Sequence, residues 1–191
     1  MSELLYQTDS YLQGFDATVT AVNGDEEHNG ESPGVILNRS VYYPGGGGQP
    51  FDTGTLTIGG VTYPIRRARK IGTDVLHILP PEVSLPAVGT HVYGQLDWER
   101  RYQLMRTHTA LHILCGVIFR DYGALVTGGD MDPLQGRMDF EFETMQKELV
   151  QTIETAVNQE VAAARDLRVA ILPREEAFQI PDLIRTKINL L

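Results

Sequence analysis

Asp97 to Gly123, "DWERRYQLMRTHTALHILCGVIFRDYG", is the stretch on which the reading of this chain turns. Its apolar residues Leu104, Leu111, Leu114, Val117 and Ile118 recur at helical spacing and a glycine stands at its end, which predicts one helix over about Trp98 to Asp121. Working outward, the two sides differ. Upstream, "DATVTAVN", "GVILNRSVYYP", "TGTLTIGGVTYPIRRAR", "DVLHIL" and "THVYGQLD" are short β-branched and aromatic runs punctuated by Gly, Pro and Asn, the pattern of a small antiparallel barrel or sandwich. Downstream, "GRMDFEF" reads as a strand, "TMQKELVQTIETAVNQEVAAARD" as a second helix, "LRVAILP" as another strand and "REEAF" as a helical turn. The expected organisation is a β subdomain over residues 1–95 and an α+β subdomain over 96–191.

The chain has 191 residues, of which 42% are hydrophobic and 21% charged, values that suit folded globular domains and exclude a low-complexity chain. One cysteine, Cys115, excludes an internal disulfide framework. No apolar run reaches the roughly 18 residues of a membrane span, and the N-terminus lacks a signal core, so a cytoplasmic location is expected. The formal net charge of -9 argues weakly against a nucleic-acid binder, yet positive charge is concentrated in "RRARK", Arg66 to Lys70, and in "ERRYQLMR", Glu99 to Arg106; DNA is not expected as a partner. Either cluster can be a solvated face or a contact for phosphates.

Inside the predicted helix, His108 and His112 lie four residues apart and so share a face one turn apart, a spacing that can supply two nitrogens to a tetrahedral ion. The alternative is two ordinary polar residues satisfied by neighbours. Thr109 stands where a zincin would need its catalytic Glu, which excludes that protease class. Cys115 lies about 10 Å along the axis from His108, too far to share one ion, and reads as a small core residue.

The second constellation is "YYPGGGGQPFDTG", Tyr42 to Gly54. Successive glycines remove every Cβ from a turn, so backbone amides can approach a ligand, and Gln49 adds an amide donor and acceptor. A plain glycine hairpin is the alternative. No Gly-Lys-Ser/Thr follows, which excludes a Walker loop, and no βαβ unit surrounds the glycines, which excludes a dinucleotide fingerprint.

Together "NRSVYYPGGGGQPFDTG", "RTHTALHIL" and "IPDLIRTKINLL" resemble, in order, the alanyl-tRNA editing proteins, both the free-standing AlaX type and the editing domain within alanyl-tRNA synthetase. The resemblance implies an α+β fold, with a small antiparallel β-barrel subdomain packed against an α+β editing subdomain. It implies a trans-editing hydrolase that cleaves the aminoacyl ester of alanine tRNA mischarged with serine or glycine, independently of ATP, with Zn2+ as cofactor and tRNA as partner. His108 and His112 match the first pair of zinc ligands. Gln49 matches the glutamine after the glycine run, Ser40 stands where many relatives carry threonine, and both would face the aminoacyl group. Gly46, Gly47 and Gly48 would bind substrate through their backbone. Thr109 joins the catalytic set as a residue beside a ligand, and Asp139 is a further candidate to orient one. For RNA contact, Arg100, Arg101 and Arg106 rank ahead of Arg66 to Lys70, because they share the helix with the histidines.

Editing has a chemical rationale: serine differs from alanine by one hydroxyl, which an apolar pocket rejects poorly, so a second site must use that group. Relatives carry a later Cys-x-x-x-His beyond the segment matching "TKINLL", and the chain ends at Leu191 without one. The expectation is a chain given without its last segment, whose residues supply the rest of the metal site, and a monomer. His28, His77 and His91 are expected on surfaces or turns. Two other classes stay open: a non-catalytic tRNA-binding or regulatory module with the editing fold, and a metal-dependent hydrolase of small esters or amides.

Overall fold

The structure is a computed structural model that describes residues 1–23, 33–142, 144, 146–181, 183 and 185. The expected turn at His28, and the whole of "TKINLL", lie outside the described residues. The chain divides into two compact units, Met1–Met105 and Arg106–Leu191, the division falling inside the long helix.

The first unit opens with β1 (Glu3–Leu4) and the single turn α1 (Leu5–Thr8). It continues through β2 (Gly14–Asn23), β3 (Gly34–Leu37), β4 (Arg39–Ser40), β5 (Gly54–Ile58), β6 (Val61–Ile65), β7 (Arg67–Ile71), β8 (Asp74–Ile78) and β9 (His91–Leu96). Seven of these form one sheet in the order β6-β5-β9-β2-β3-β8-β7, every pair antiparallel, while β1 pairs with β4 in parallel. β6 and β7 are the two edges of that order, yet only Arg66 separates them in the chain. The sheet must therefore curl until its edges approach.

Period-two patterning decides which face turns inward. In β2, Phe15, Ala17 and Val19 are buried, and in β9 Val92, Gly94 and Leu96 are buried between outward-facing His91, Tyr93 and Gln95. Phe15 lies opposite Gly94, and a Cβ at that glycine would sit 2.2 Å from the Phe15 ring. The glycine makes room for the phenyl ring. Gly59 and Gly60, at φ 58° and 84°, close the β5–β6 hairpin in the left-handed turn that matches strand twist. Tyr42, Leu37, Leu56 and Leu79 fill the core behind the sheet.

α2 spans Trp98–Tyr122, as the apolar spacing predicts. Beyond it the second unit carries β10 (Val126–Asp132), β11 (Gln135–Phe140), α3 (Lys147–Ala162) and the single turn α4 (Arg174–Ala177). β10 and β11 form an antiparallel hairpin, and Ile118, Ala124 and Ile153 make a small core with Leu114, Phe140 and Val157. The whole is a mixed α and β structure with a curled antiparallel sheet.

Two expectations are corrected here. The strand expected at "LRVAILP", Leu167 to Pro173, is not present: Leu167, Val169 and Ile171 are 74%, 86% and 72% exposed, and the segment pairs with no strand among the described residues. Alternating apolar residues make a strand only where a neighbouring backbone completes the ladder. The second helix is also shorter than its composition suggests, because Ala164 adopts φ +46° just past the Ala163 cap. No helix among the described residues is long and apolar enough to cross a membrane.

Candidate functional site

In the first unit, the run from Ser40 to Asp97 builds a braced glycine hairpin. Gly46 and Gln49 form a two-way backbone bridge, at 2.9 and 3.1 Å, and Gly45, Gly46, Gly47 and Gly48 all have positive φ, between 59° and 134°. Side chains rarely adopt such angles, which is why the turn is glycine throughout. Gly46, Gly47 and Gly48 are exposed, and the Gly47 and Gly48 amides make no protein hydrogen bond among the described residues. Gln49 is half-buried at the exit of the turn. The Tyr43 hydroxyl donates to the Gly46 carbonyl at 2.9 Å, tying the tip to its stem.

Three consecutive residues after the glycines join the start of α2. The Phe51 carbonyl accepts from Arg100 Nη1 at 2.7 Å. Asp52, 1% exposed, receives Arg101 Nε on both carboxylate oxygens at 3.0 and 3.1 Å and an Nη2 bond besides. Thr53 Oγ1 donates to Asp97 Oδ2 at 3.1 Å, and the Asp97 amide donates to the Thr53 carbonyl at 2.8 Å. Asp97 in turn caps α2, accepting from the Arg100 amide.

This geometry corrects the ranking of the arginines. Arg101 is 4% exposed, and its remaining donors go to the carbonyls of Ser10 and Val41 at 3.1 and 2.7 Å. Four of its five N–H donors are spent inside the protein and the side chain is out of solvent, so Arg101 is an internal brace rather than a surface cation for a phosphate. Arg100 is half-buried and Arg106 exposed.

Ser40 is corrected as well. It is fully buried, its Oγ lies 2.7 Å from His77 Nε2, and it accepts the Tyr42 amide at 3.1 Å. His77 Nδ1 faces the Val35 carbonyl at 3.1 Å, so Nδ1 carries the proton and Nε2 accepts from Ser40. His77 is itself fully buried, contrary to the surface position expected, and burial pushes its imidazole down to about 4. The serine hydroxyl thus orders the entry to the hairpin. Tyr42 continues the bracing: its hydroxyl donates to the carbonyls of Thr55 and Gln95, and burial pushes its phenol well above the usual range.

In the second unit, His108 and His112 stack on one face of α2 with ring centroids 4.8 Å apart and planes 16° apart. Both are exposed, so they are not packed away in a dry core. Partial burial first, and the neighbouring His112 second, hold His108 below the usual imidazole value. That direction favours the neutral imidazole, the form that donates a lone pair to a metal. The residues present fit half of a tetrahedral nitrogen-rich site; among the described residues, no three His, Cys, Asp or Glu side chains gather at one point.

Thr109 is half-buried beside His108. Asp139 pairs with Arg137 at 3.5 Å, which gives it a surface partner rather than a histidine. Cys115 is half-buried with its thiol raised by burial, in keeping with an apolar role, and His91 is exposed 3.5 Å from Asp16, as expected. A cleft of about 620 Å³ lies on another face of α2, lined by Thr107, Leu111, Leu114, Gly136, Ile153 and Val157. Neither imidazole lines it.

Sequence reasoning missed Asp52 and misplaced Arg101 and His77. A signal existed for the pair: Asp52 is the only charge between Tyr42 and Gly54, and Arg101 precedes Leu104 on the apolar stripe of the helix, where a cation needs a partner.

A family model described as tRNA synthetases class II (A) matches residues 5–100, which hold the sheet, the glycine hairpin and the start of α2. Over nearly its whole length the chain is similar to alanyl-tRNA editing proteins AlaX-M. It is 36% identical over 187 residues to that of Saccharolobus solfataricus, covering 97% of this chain and 75% of the relative. With that of Methanosarcina mazei it shares 36% over 183 residues, 93% and 70% respectively. It also matches 18% of the alanine-tRNA ligase of Ignicoccus hospitalis, at 36% over 176 residues. This chain belongs to the alanyl-tRNA editing protein family.

Proposed function

We propose that this chain is a trans-editing hydrolase that removes a wrong amino acid, serine foremost and glycine also, from alanine tRNA by cleaving the aminoacyl ester. The observation that carries the reading is the His108–His112 pair, stacked on one face of α2 and solvent-reachable, in a chain of this family. Such a pair fits zinc, and His108 and His112 would hold it; a bound zinc ion can polarise the ester carbonyl and lower the pKa of water.

The chain's own groups act on the rest of the substrate. Hydrolysis of an ester passes through a tetrahedral oxyanion, and a hole for it needs donors that are already aimed. Within the first unit, the Gly47 and Gly48 amides are free among the described residues to donate to a substrate oxygen, with the turn held by the Gly46–Gln49 bridge and by Tyr43. Gln49, at the exit of the turn, offers an amide that can accept from or donate to the seryl hydroxyl, the group by which serine differs from alanine. With Ser40 committed to His77, Gln49 carries that discrimination. The curled sheet is read as the β-barrel half of the editing fold.

The test is release of amino acid from alanine tRNA charged in turn with serine, glycine and alanine, with a small seryl ester alongside. Serine release at least about a hundredfold faster than alanine release supports the reading. Equal release from tRNA and from the small ester would favour a hydrolase of small esters. Tight tRNA binding without release would favour a non-catalytic module.

A further inference from the structure

In a chain with 25 acidic and 16 basic residues, the pairing of the basic ones is uneven. Arg39, Arg101, Arg120, Arg137 and Arg165 each carry a carboxylate partner. Arg66, Arg67 and Lys70 are exposed and have none among the described residues. They lie on or beside β7, an edge of the sheet, where Arg66, Arg67 and Lys70 reach solvent while Ala68 packs into the core. The acid of the adjoining strand β8, Asp74, stands opposite Ile71 and is occupied by the chain's own N-terminal amine and by the Ser2 amide. No carboxylate among the described residues neutralises these cations.

Their place matters. The Arg67 guanidinium lies 5.9 Å from the centre of the Phe51 ring, and the carbonyl of that same Phe51 receives Arg100. Phe51 is the second residue after Gln49, so two guanidinium groups converge on the shoulder of the glycine hairpin, with Arg66 and Lys70 extending the positive charge along the edge. Edge strands are often guarded by charge or proline against pairing with other chains. The other edge, β6, has no charged residue and carries Pro64 instead. A concentration of unneutralised cations beside a turn of bare amides is more than a guard requires.

We propose that Arg66, Arg67 and Lys70, with Arg100 across Phe51, form the landing surface for the phosphodiester backbone of the tRNA. The proposal rests on the editing reading and names the partner surface that reading lacks. It reverses the order expected from sequence, where the helix arginines came first. Arginine and lysine bind phosphate by releasing condensed counterions, so removing a cation that touches a phosphate makes binding less sensitive to salt.

The experiment is the salt dependence of binding to uncharged alanine tRNA, which needs no hydrolysis. In the triple variant Arg66→Gln, Arg67→Gln, Lys70→Gln, the slope of log affinity against log salt becomes shallower by about 2, and affinity at physiological salt falls by at least about tenfold. A second triple variant, Arg39→Gln, Arg137→Gln, Arg165→Gln, removes the same charge elsewhere and keeps the parental slope. Arg66→Lys with Arg67→Lys also keeps it. An unchanged slope in the edge variant, an equal loss in the second triple, or no tRNA binding by the parent protein would each overturn the proposal. Loss of binding in the edge variant, with no serine release by the parent, would leave the landing surface standing and sink the deacylase instead.

Discussion

Arg101, in the first turn of α2, and Asp52, three residues after Gln49, form an ion pair that is 4% and 1% exposed. It joins a helix start to a hairpin stem 49 residues away, and the neighbouring links from Arg100 to Phe51 and from Asp97 to Thr53 repeat the connection on either side. Because both charges are out of water, each depends on the other. Arg101→Leu alone leaves a buried carboxylate and should cost about 3–5 kcal/mol of stability, whereas Arg101→Leu with Asp52→Asn should cost clearly less than the sum of the two single changes. Urea unfolding of the four proteins measures this. Additive losses would mean that the two residues do not act as a pair.

His77 should make stability depend on pH. Its imidazole titrates near 6.5 when unfolded and is pushed down to about 4 in the fold, so the unfolded chain binds the extra proton first. Stability contributed by the neutral form is complete above about pH 6.5 and is lost as pH falls toward 4, by up to about 3 kcal/mol. Unfolding midpoints between pH 4 and 7 should show this slope, and His77→Gln should flatten it. A slope that survives the substitution belongs to other groups.

Two glycines separate conformation from space. At Gly47, φ is +59° and nothing lies within 4 Å of an added Cβ, so Gly47→Ala should fold with a loss of about 1 kcal/mol while slowing ester hydrolysis by about tenfold or more. At Gly54, an added Cβ would lie 2.3 Å from the Gln95 carbonyl oxygen, in the backbone of the neighbouring strand, so Gly54→Ala should prevent stable folding. Circular dichroism melts and serine-release rates of the two variants check both statements. Normal hydrolysis by Gly47→Ala would remove the glycine turn from the chemistry.

Periodic features were readable in advance, and pairwise ones were not. The long helix is expected over Trp98 to Asp121 and found over Trp98–Tyr122, because its apolar face repeats through about seven turns. β2 and β9 follow from alternation in the same way. The Asp52–Arg101 brace joins two residues with no pattern between them, and only the fold brings them together. His77 sits in "DVLHIL", where Val75, Leu76, His77 and Ile78 are all buried, and an imidazole in such a run reads as a surface interruption until Ser40 and Val35 are seen to satisfy both nitrogens. Conversely, "LRVAILP" alternates like a strand and has no partner among the described residues, while β10, with two glycines and two aspartates in seven residues, forms because β11 faces it.

The two stacked imidazoles of α2 carry the proposed chemistry. The direct measurement is single-turnover release of serine from serine-charged alanine tRNA by the parent protein and by the variant His108→Ala with His112→Ala, with uncharged tRNA binding followed in parallel. The predicted result is a loss of at least about a hundredfold in the rate with tRNA affinity unchanged within about twofold. Serine release at the parental rate by the double variant would contradict it.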